Sequence, residues 1–299
     1  MEDGAVRAYA LRMLVRSLLL FFVFAGSLFA QQDPAWTTPQ TPYRVIGNVY
    51  YVGSKDLASF LIATPQGHIL INSNLTSSVP MIRRSVEELG FRFSDIKILL
   101  ISHGHFDHAS GSAEIKRLTG AKYMVMDADV PVVESGGRDD FALGKSPEYR
   151  FPETKVDRVL HDGDEVRLGN VVLVAHLTPG HTKGCTTWTM KASEGGHSYN
   201  VVIVGSPNVL SSYKLVGDPA YPNMAQDFEL TFRTLKTLPC DVFLGAHGIY
   251  FDMLKKFDER KDGAANPFID PAGYQSFVAE KDQEFLAELA KQTAAGHRE

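Results

Sequence analysis

His103, His105, Asp107 and His108 stand within six residues, in the run Ser102-His103-Gly104-His105-Phe106-Asp107-His108. Imidazole nitrogens and a carboxylate oxygen at that density are ligands for a borderline divalent ion, zinc above all. On a loop leaving a buried strand, His103 and His105 project to one side and share one metal. Asp107 and His108 turn the other way and serve a second. Two such ions close together lower the pKa of the water between them and supply hydroxide at neutral pH. Two later histidines fit as third ligands: His181 in Thr178-Pro179-Gly180-His181-Thr182 and His247 in Leu244-Gly245-Ala246-His247-Gly248, each after a predicted strand. His68, His161, His176, His197 and His297 lack such context and read as structural or solvent-exposed.

The elements that must carry these residues follow from periodicity. Residues 43–52 alternate as a strand, 59–63 form a short apolar run, and 67–71 follow a Pro65-Gln66-Gly67 turn signal. Residues 79–89 carry apolar side chains at helical spacing, with Ser77 and Ser78 as candidate caps. The continuous apolar run 96–101 suits a fully buried strand, and the metal motif starts at its end. A helix is expected over 113–118 and a strand over 122–126. The second half repeats this grammar, with strands at 166–168, 171–176, 186–190, 201–204 and 242–244 and helices at 225–238 and 277–291. Strand-rich halves closed by helices predict two packed sheets with helices outside, one domain built of two similar halves.

Composition sets the bounds. The chain has 299 residues, 44% hydrophobic and 22% charged, with a net charge of −5 and no long like-charge run. That is an ordinary globular composition, and without a basic stripe it offers no case for nucleic acid. Arg7, Arg12 and Arg16 precede an apolar run at 18–24 and then Ala25-Gly26-Ser27-Leu28-Phe29-Ala30, the order of a secretory signal peptide over residues 1–30. The run is too short to span a bilayer, so no stable membrane span is expected after cleavage, and the mature protein is placed in the periplasm or outside the cell. Residues 31–42 read as a polar, Pro-rich extended arm. Cys185 and Cys240 are the only cysteines, and the sequence leaves open whether they pair.

The pattern His-x-His-x-Asp-His, then Thr-Pro-Gly-His-Thr, then a late Gly-x-His resembles the metallo-β-lactamase superfamily, over nearly the whole chain from about Val45. The resemblance implies an α+β fold, a four-layer αβ/βα sandwich spanning 31–299 with the metals at one edge. It implies two zinc ions, one on His103, His105 and His181, the other on Asp107, His108 and His247. Thioesterase- and lactonase-type members usually place a bridging Asp after the strand that here is 201–204, and two β-lactamase subclasses place Cys. This chain has Ser206, which is similar to the third subclass of class B, B3. The segments Gly184-Cys185-Thr186-Thr187-Trp188 and Leu238-Pro239-Cys240-Asp241-Val242 agree. Departures are Asn72, where the family usually has an Asp behind the metal histidines, Asn208, where Ser or Thr is common, and Leu210-Ser211-Ser212, where a Pro-Gly turn is common.

By analogy, the resemblance implies a β-lactamase whose zinc-activated hydroxide opens the lactam amide with no covalent intermediate, an activity that confers antibiotic resistance; a monomer is expected. Asp107 orients the nucleophile and relays its proton, Ser206 and Asn208 bind the substrate carboxylate, and Tyr213 aids the oxyanion. Another superfamily hydrolase acting on a lactone or thioester, and a catalytically silent zinc-binding periplasmic protein, are the alternatives.

Overall fold

The chain alternates β-strands and helices in an order that builds two sheets. The computed structural model describes residues 33–261 and 263–296, so the expected leader at 1–30 lies outside the described residues. The first sheet runs β1 (Tyr43–Ile46), β2 (Val49–Tyr51), β3 (Phe60–Thr64), β4 (Gly67–Ile71), β5 (Ile96–Leu100), β6 (Lys122–Met126) and β7 (Arg158–Leu160), neighbours in that order. The second has the order β12-β11-β10-β9-β8, from β8 (Glu165–Leu168), β9 (Val171–Leu177), β10 (Thr186–Glu194), β11 (His197–Val204) and β12 (Val242–Gly245).

Two sequence expectations change here, both at glycine turns. The single strand expected over 43–52 is a hairpin, because Ile46 pairs with Val49 and Gly47, at φ +51°, turns the chain between them. The strands expected at 186–190 and 201–204 run on as a longer hairpin closed at Gly195-Gly196, with Glu194 opposite His197. Its outer rungs are polar, so hydrophobic alternation does not report them. β7, with only Leu160 buried, gives no signal for the same reason.

The helices flank the sheets. α1 (Val79–Glu88), α2 (Phe106–Ala109), α3 (Ser112–Thr119) and α4 (Val130–Glu134) belong to the first half. α5 (Met224–Thr237), α6 (Met253–Glu259) and α7 (Pro271–Gly296) belong to the second. Ser78 stands at the cap position of α1, but a 3-10 turn over Thr76–Ser78 precedes it and its hydroxyl makes no capping bond. Val79, Ile82 and Val86 of α1 and Ile115 of α3 pack on the outer face of the first sheet with Leu70, Leu99 and Tyr123. The inner faces meet in a core that holds Ile71, Leu100, Trp188, Val202 and Phe243. Phe228 and Phe232 of α5 stack on Phe285 of α7 at 5.4 and 5.6 Å and cover the second sheet. Helix, sheet, sheet, helix is the α+β sandwich that the sequence implies.

This topology delivers the site. β4, β5 and β6 are parallel, so their carboxyl ends lie side by side and carry Asn72, the 103–108 motif and Asp127–Asp129. β11 and β12 are also parallel and end at Ser206 and His247. The halves are stitched where they meet: Thr186 N–H donates to Ser102 O at 2.7 Å and Trp188 Nε1–H to Ile101 O at 3.1 Å. Among the described residues no helix is long and apolar enough to cross a membrane.

Candidate metal centre

The loop after β5 and the turn after β9 bring His103, His105 and His181 together, with ligand atoms within 4.8 Å of one another. His103, Asp107 and His108 form a second such group. His247, from the end of β12, completes it: its Nε2 lies 3.2 Å from His108 Nε2 and 3.6 Å from Asp107 Oδ2. Asp107 Oδ2 to His108 Nε2 is 3.3 Å. Two ligand atoms each bound tetrahedrally to zinc at about 2.0–2.1 Å stand roughly 3.3 Å apart. The Asp107, His108 and His247 atoms therefore form one face of a zinc tetrahedron. His103 Nε2 is buried with no protein partner, a cost that a lone pair on a cation removes. The donor set fits zinc.

Hydrogen bonds fix which nitrogen two of the rings offer. His181 Nδ1–H donates to Asn208 O at 2.8 Å, which leaves Nε2 as the ligand atom. His247 Nδ1–H donates to Asp56 Oδ2 at 2.8 Å with the same result. His105 Nε2 lies 3.4 Å from Asp140 Oδ2, an electrostatic contact rather than a hydrogen bond. Such outer partners set ring orientation and basicity.

Electrostatics sort five of the six side chains. Burial, then the crowd of other imidazoles, holds His103 well below 6.5. Burial likewise lowers His181 to about 3 and His108 to about 4. All three stay neutral with lone pairs available, as a ligand must. Burial would also lower His247, but Asp107 and Asp56 on either side raise it to about 9. Asp107 is pulled down by His108 and His247 against its own burial and stays ionised.

Three acids that the sequence pattern does not reveal hold this arrangement. Asp129, 1% exposed, accepts Gly104 N–H and Thr182 Oγ1–H on Oδ2 at 2.7 and 2.8 Å and Gly184 N–H on Oδ1 at 2.8 Å, tying the two histidine loops together. Asp140 braces His105 and Asp56 braces His247. The one signal for Asp129 is its place at the carboxyl end of a predicted strand. Asp56 and Asp140 lie in loops with no distinguishing pattern.

The remaining expected residues surround the ligands. Asn72, at φ +69° and fully buried, accepts Ser102 N–H on Oδ1 at 2.8 Å and donates from Nδ2 to Ala58 O at 3.3 Å. It supports the motif's backbone, and the donation requires an amide rather than a carboxylate. Ser206 and Asn208 meet at the Tyr250 hydroxyl, at 3.1 and 2.6 Å. Asn208 abuts His181 and the Tyr250 ring abuts His247, centroids 5.1 Å apart, so this polar cluster lies between the two late histidines. Tyr213 differs from expectation: it is 3% exposed and its hydroxyl donates to His181 O at 2.6 Å. That hydroxyl is committed to bracing the His181 turn, so an oxyanion role is corrected to a positioning one. Cys185 and Cys240 are both free thiols, and Cys185 Sγ accepts Ser206 N–H at 3.2 Å.

Residues 57–193 match the sequence profile of the Metallo-beta-lactamase superfamily. The fold is similar to that of native FEZ-1 metallo-β-lactamase from Legionella gormanii, with 52% identity, a TM-score of 0.85, and coverage of 86% of this chain and 98% of that one. It is also similar to BJP-1, a subclass B3 metallo-β-lactamase of Bradyrhizobium japonicum, with 40% identity, a TM-score of 0.82, and coverage of 88% and 98%. A hydroxyacylglutathione hydrolase of Methylobacterium nodulans is 29% identical over 141 residues, 44% of this chain and 46% of the relative. The chain thus spans less than half the length of the first curated relatives it matches. The chain belongs to the metallo-β-lactamase superfamily and resembles its subclass B3 enzymes.

Proposed function

We propose that this protein is a zinc-dependent β-lactam hydrolase of the B3 type, exported to the periplasm, with one ion on His103, His105 and His181 and another on Asp107, His108 and His247. The observation that carries the reading is Ser206. At the end of β11, where a thioesterase-type centre would offer a carboxylate, Ser206 is 2% exposed and bonded to Tyr250. Near full-length likeness to solved β-lactamases supports the same reading.

When bound, zinc ions at these positions polarise the substrate carbonyl and lower the pKa of the attacking water. Asp107 is the only carboxylate among the six ligands and is held ionised between His108 and His247. It orients the water and takes its proton as oxygen bonds to the carbonyl carbon. When the carbon–nitrogen bond breaks, that proton passes to the ring nitrogen. The half-buried Asn208 and Tyr250 supply hydrogen-bonding groups for the substrate carboxylate, with Ser206 buried behind them on the Tyr250 hydroxyl. Asn208 also holds the His181 ring through its backbone carbonyl, so substrate contact and metal geometry share one loop.

Matches to hydroxyacylglutathione hydrolases keep a thioester reading in view. Purified protein is to be assayed on a penicillin, a cephalosporin and a carbapenem beside a glutathione thioester and a lactone, with and without EDTA. Metal-dependent lactam turnover is expected. Turnover of the thioester or lactone alone defeats the proposal, and tight binding of zinc with no turnover of any acyl substrate points to a silent metal-binding protein.

A further inference from the structure

The segment ahead of β1 is tied into the metal centre rather than lying free as an arm. A 3-10 turn over Pro34–Trp36 places the Trp36 indole so that Nε1–H donates to Asp56 Oδ2 at 3.1 Å. Asp56 N–H returns a bond to Ala35 O at 3.2 Å, and Lys55 N–H donates to Thr38 O at 2.9 Å. The oxygen that Trp36 donates to is also the one that accepts His247 Nδ1–H at 2.8 Å. The other carboxylate oxygen accepts Ile249 N–H at 3.0 Å. The Trp36 ring further packs against His247 and Phe106, centroids 5.8 and 6.2 Å away, and Phe106 sits in the motif between His105 and Asp107.

We infer that Asp56 is the positioning residue of the metal ion on Asp107, His108 and His247, and that through its shared oxygen the Pro34–Trp36 turn and that ion stabilise one another. The inference rests on the two-metal reading of the centre. A cation on His247 Nε2 withdraws electron density from the ring and makes Nδ1–H a stronger donor to Asp56. The carboxylate then sits more firmly where Trp36 reaches it. Thermodynamic linkage makes the effect reciprocal: whatever the ion adds to the turn, the turn adds to the ion's affinity. The other ion's histidines are met elsewhere, His181 by a backbone carbonyl and His105 by Asp140, so the coupling to the Pro34–Trp36 turn belongs to one ion of the pair.

The test is a titration of metal-free protein with Zn²⁺, and with Co²⁺ for its absorption spectrum, combined with amide hydrogen exchange. In the wild type the second equivalent is expected to slow exchange at Thr37, Thr38, Lys55 and Asp56. Asp56→Asn is expected to weaken one of the two ions by about 10–100-fold, with the other within about twofold, and to abolish the slowing. Trp36→Phe keeps the ring and the carboxylate but removes the donor. It is expected to weaken the same ion by less than about tenfold and also to uncouple the exchange. The inference is overturned if both ions weaken together in Asp56→Asn, if neither does, or if the four amides exchange alike with one ion and two. Should Asp56→Asn fail to fold, Trp36→Phe decides by the same criteria. Wild-type protein that takes up no zinc at all would overturn the metal reading itself, a separate outcome.

Discussion

Asp129 accepts the Gly104 N–H at 2.7 Å, so a buried carboxylate from the end of β6 fixes the backbone between His103 and His105, two candidate metal ligands. The same side chain takes Thr182 Oγ1–H and Gly184 N–H, on either side of the turn that presents His181. Its role depends on having two acceptor oxygens and no donor.

Asp129→Asn tests that role. Burial raises the Asp129 carboxyl, and the three donors work against that rise. An amide accepts on one oxygen only, so at least one of the three donors would face an NH₂ group. Leaving a buried donor unmet costs about 1–3 kcal/mol. A fall of several degrees in the melting temperature of metal-free protein is expected, together with weaker zinc binding at His103, His105 and His181. An unchanged melt would show that the loops hold themselves.

Gly180 is the second case. Its φ is +124°, and a Cβ there would come within 2.7 Å of the Phe228 ring on α5. Gly180→Ala combines backbone strain with a clash against a buried aromatic, a loss of about 2–3 kcal/mol. Because His181 is the next residue, zinc affinity should fall along with stability. Calorimetric melting with a parallel zinc titration reads both, and normal zinc binding in a destabilised variant would separate the two effects.

Metal stoichiometry gives a third prediction. His247→Ala removes one corner of the Asp107, His108 and His247 face and leaves His103, His105 and His181 intact. Native mass spectrometry is expected to find two zinc ions on the wild type and one on the variant. Turnover should drop at least about 100-fold, about 2.7 kcal/mol of transition-state stabilisation. Chelation should lower the wild-type melting temperature reversibly, since each site at 100 times its Kd contributes about 2.7 kcal/mol. Two ions on His247→Ala would mean that His247 is no ligand.

The acid limb of stability has an identifiable source away from the metal centre. Burial alone would raise the Asp270 carboxyl, but the Lys256 ammonium at 2.7 Å and the Gly273 N–H hold it below 3.8. A carboxyl lowered in the folded state contributes fully above its unfolded value, about 3.9, and loses that contribution as pH falls through the folded one. Asp270→Asn is expected to cost about 1–2 kcal/mol at pH 7, less than the 3–5 of a fully buried pair because Asp270 is partly exposed. The gap between wild-type and variant stability should begin to close below about pH 4 and keep closing as pH falls. A gap of constant size across that range would assign the loss to packing instead.

How much is legible in the chain varies by kind of residue. His103, His105, Asp107 and His108 announce themselves because four ligand side chains crowd one turn, and His181 and His247 follow because each ends a strand. β4, β5 and β6 are equally plain, since a strand buried on both faces reads as an apolar run. The polar outer rungs of β10 and β11 and the short β7 are not, because their stability comes from ladder partners rather than from burial. Tyr213 shows the limit of analogy: residue type suggests an oxyanion donor, and the neighbouring backbone carbonyl takes the proton.

The sequence by itself determined the chemistry available, six candidate metal-ligating side chains that follow predicted strands, and the sandwich that carries them. Only the tertiary structure decided which nitrogen His181 and His247 present, and whether a backbone carbonyl or a buried acid enforces it. Asp56 and His247 are 191 positions apart in the chain, and Asp129 and Thr182 are 53 apart. A lone acid in a loop carries no local pattern, because what makes it functional is the donor that folding brings to it. Ligand types are a property of composition and spacing, whereas their orientation is a property of contacts that exist only once the two sheets have closed on each other.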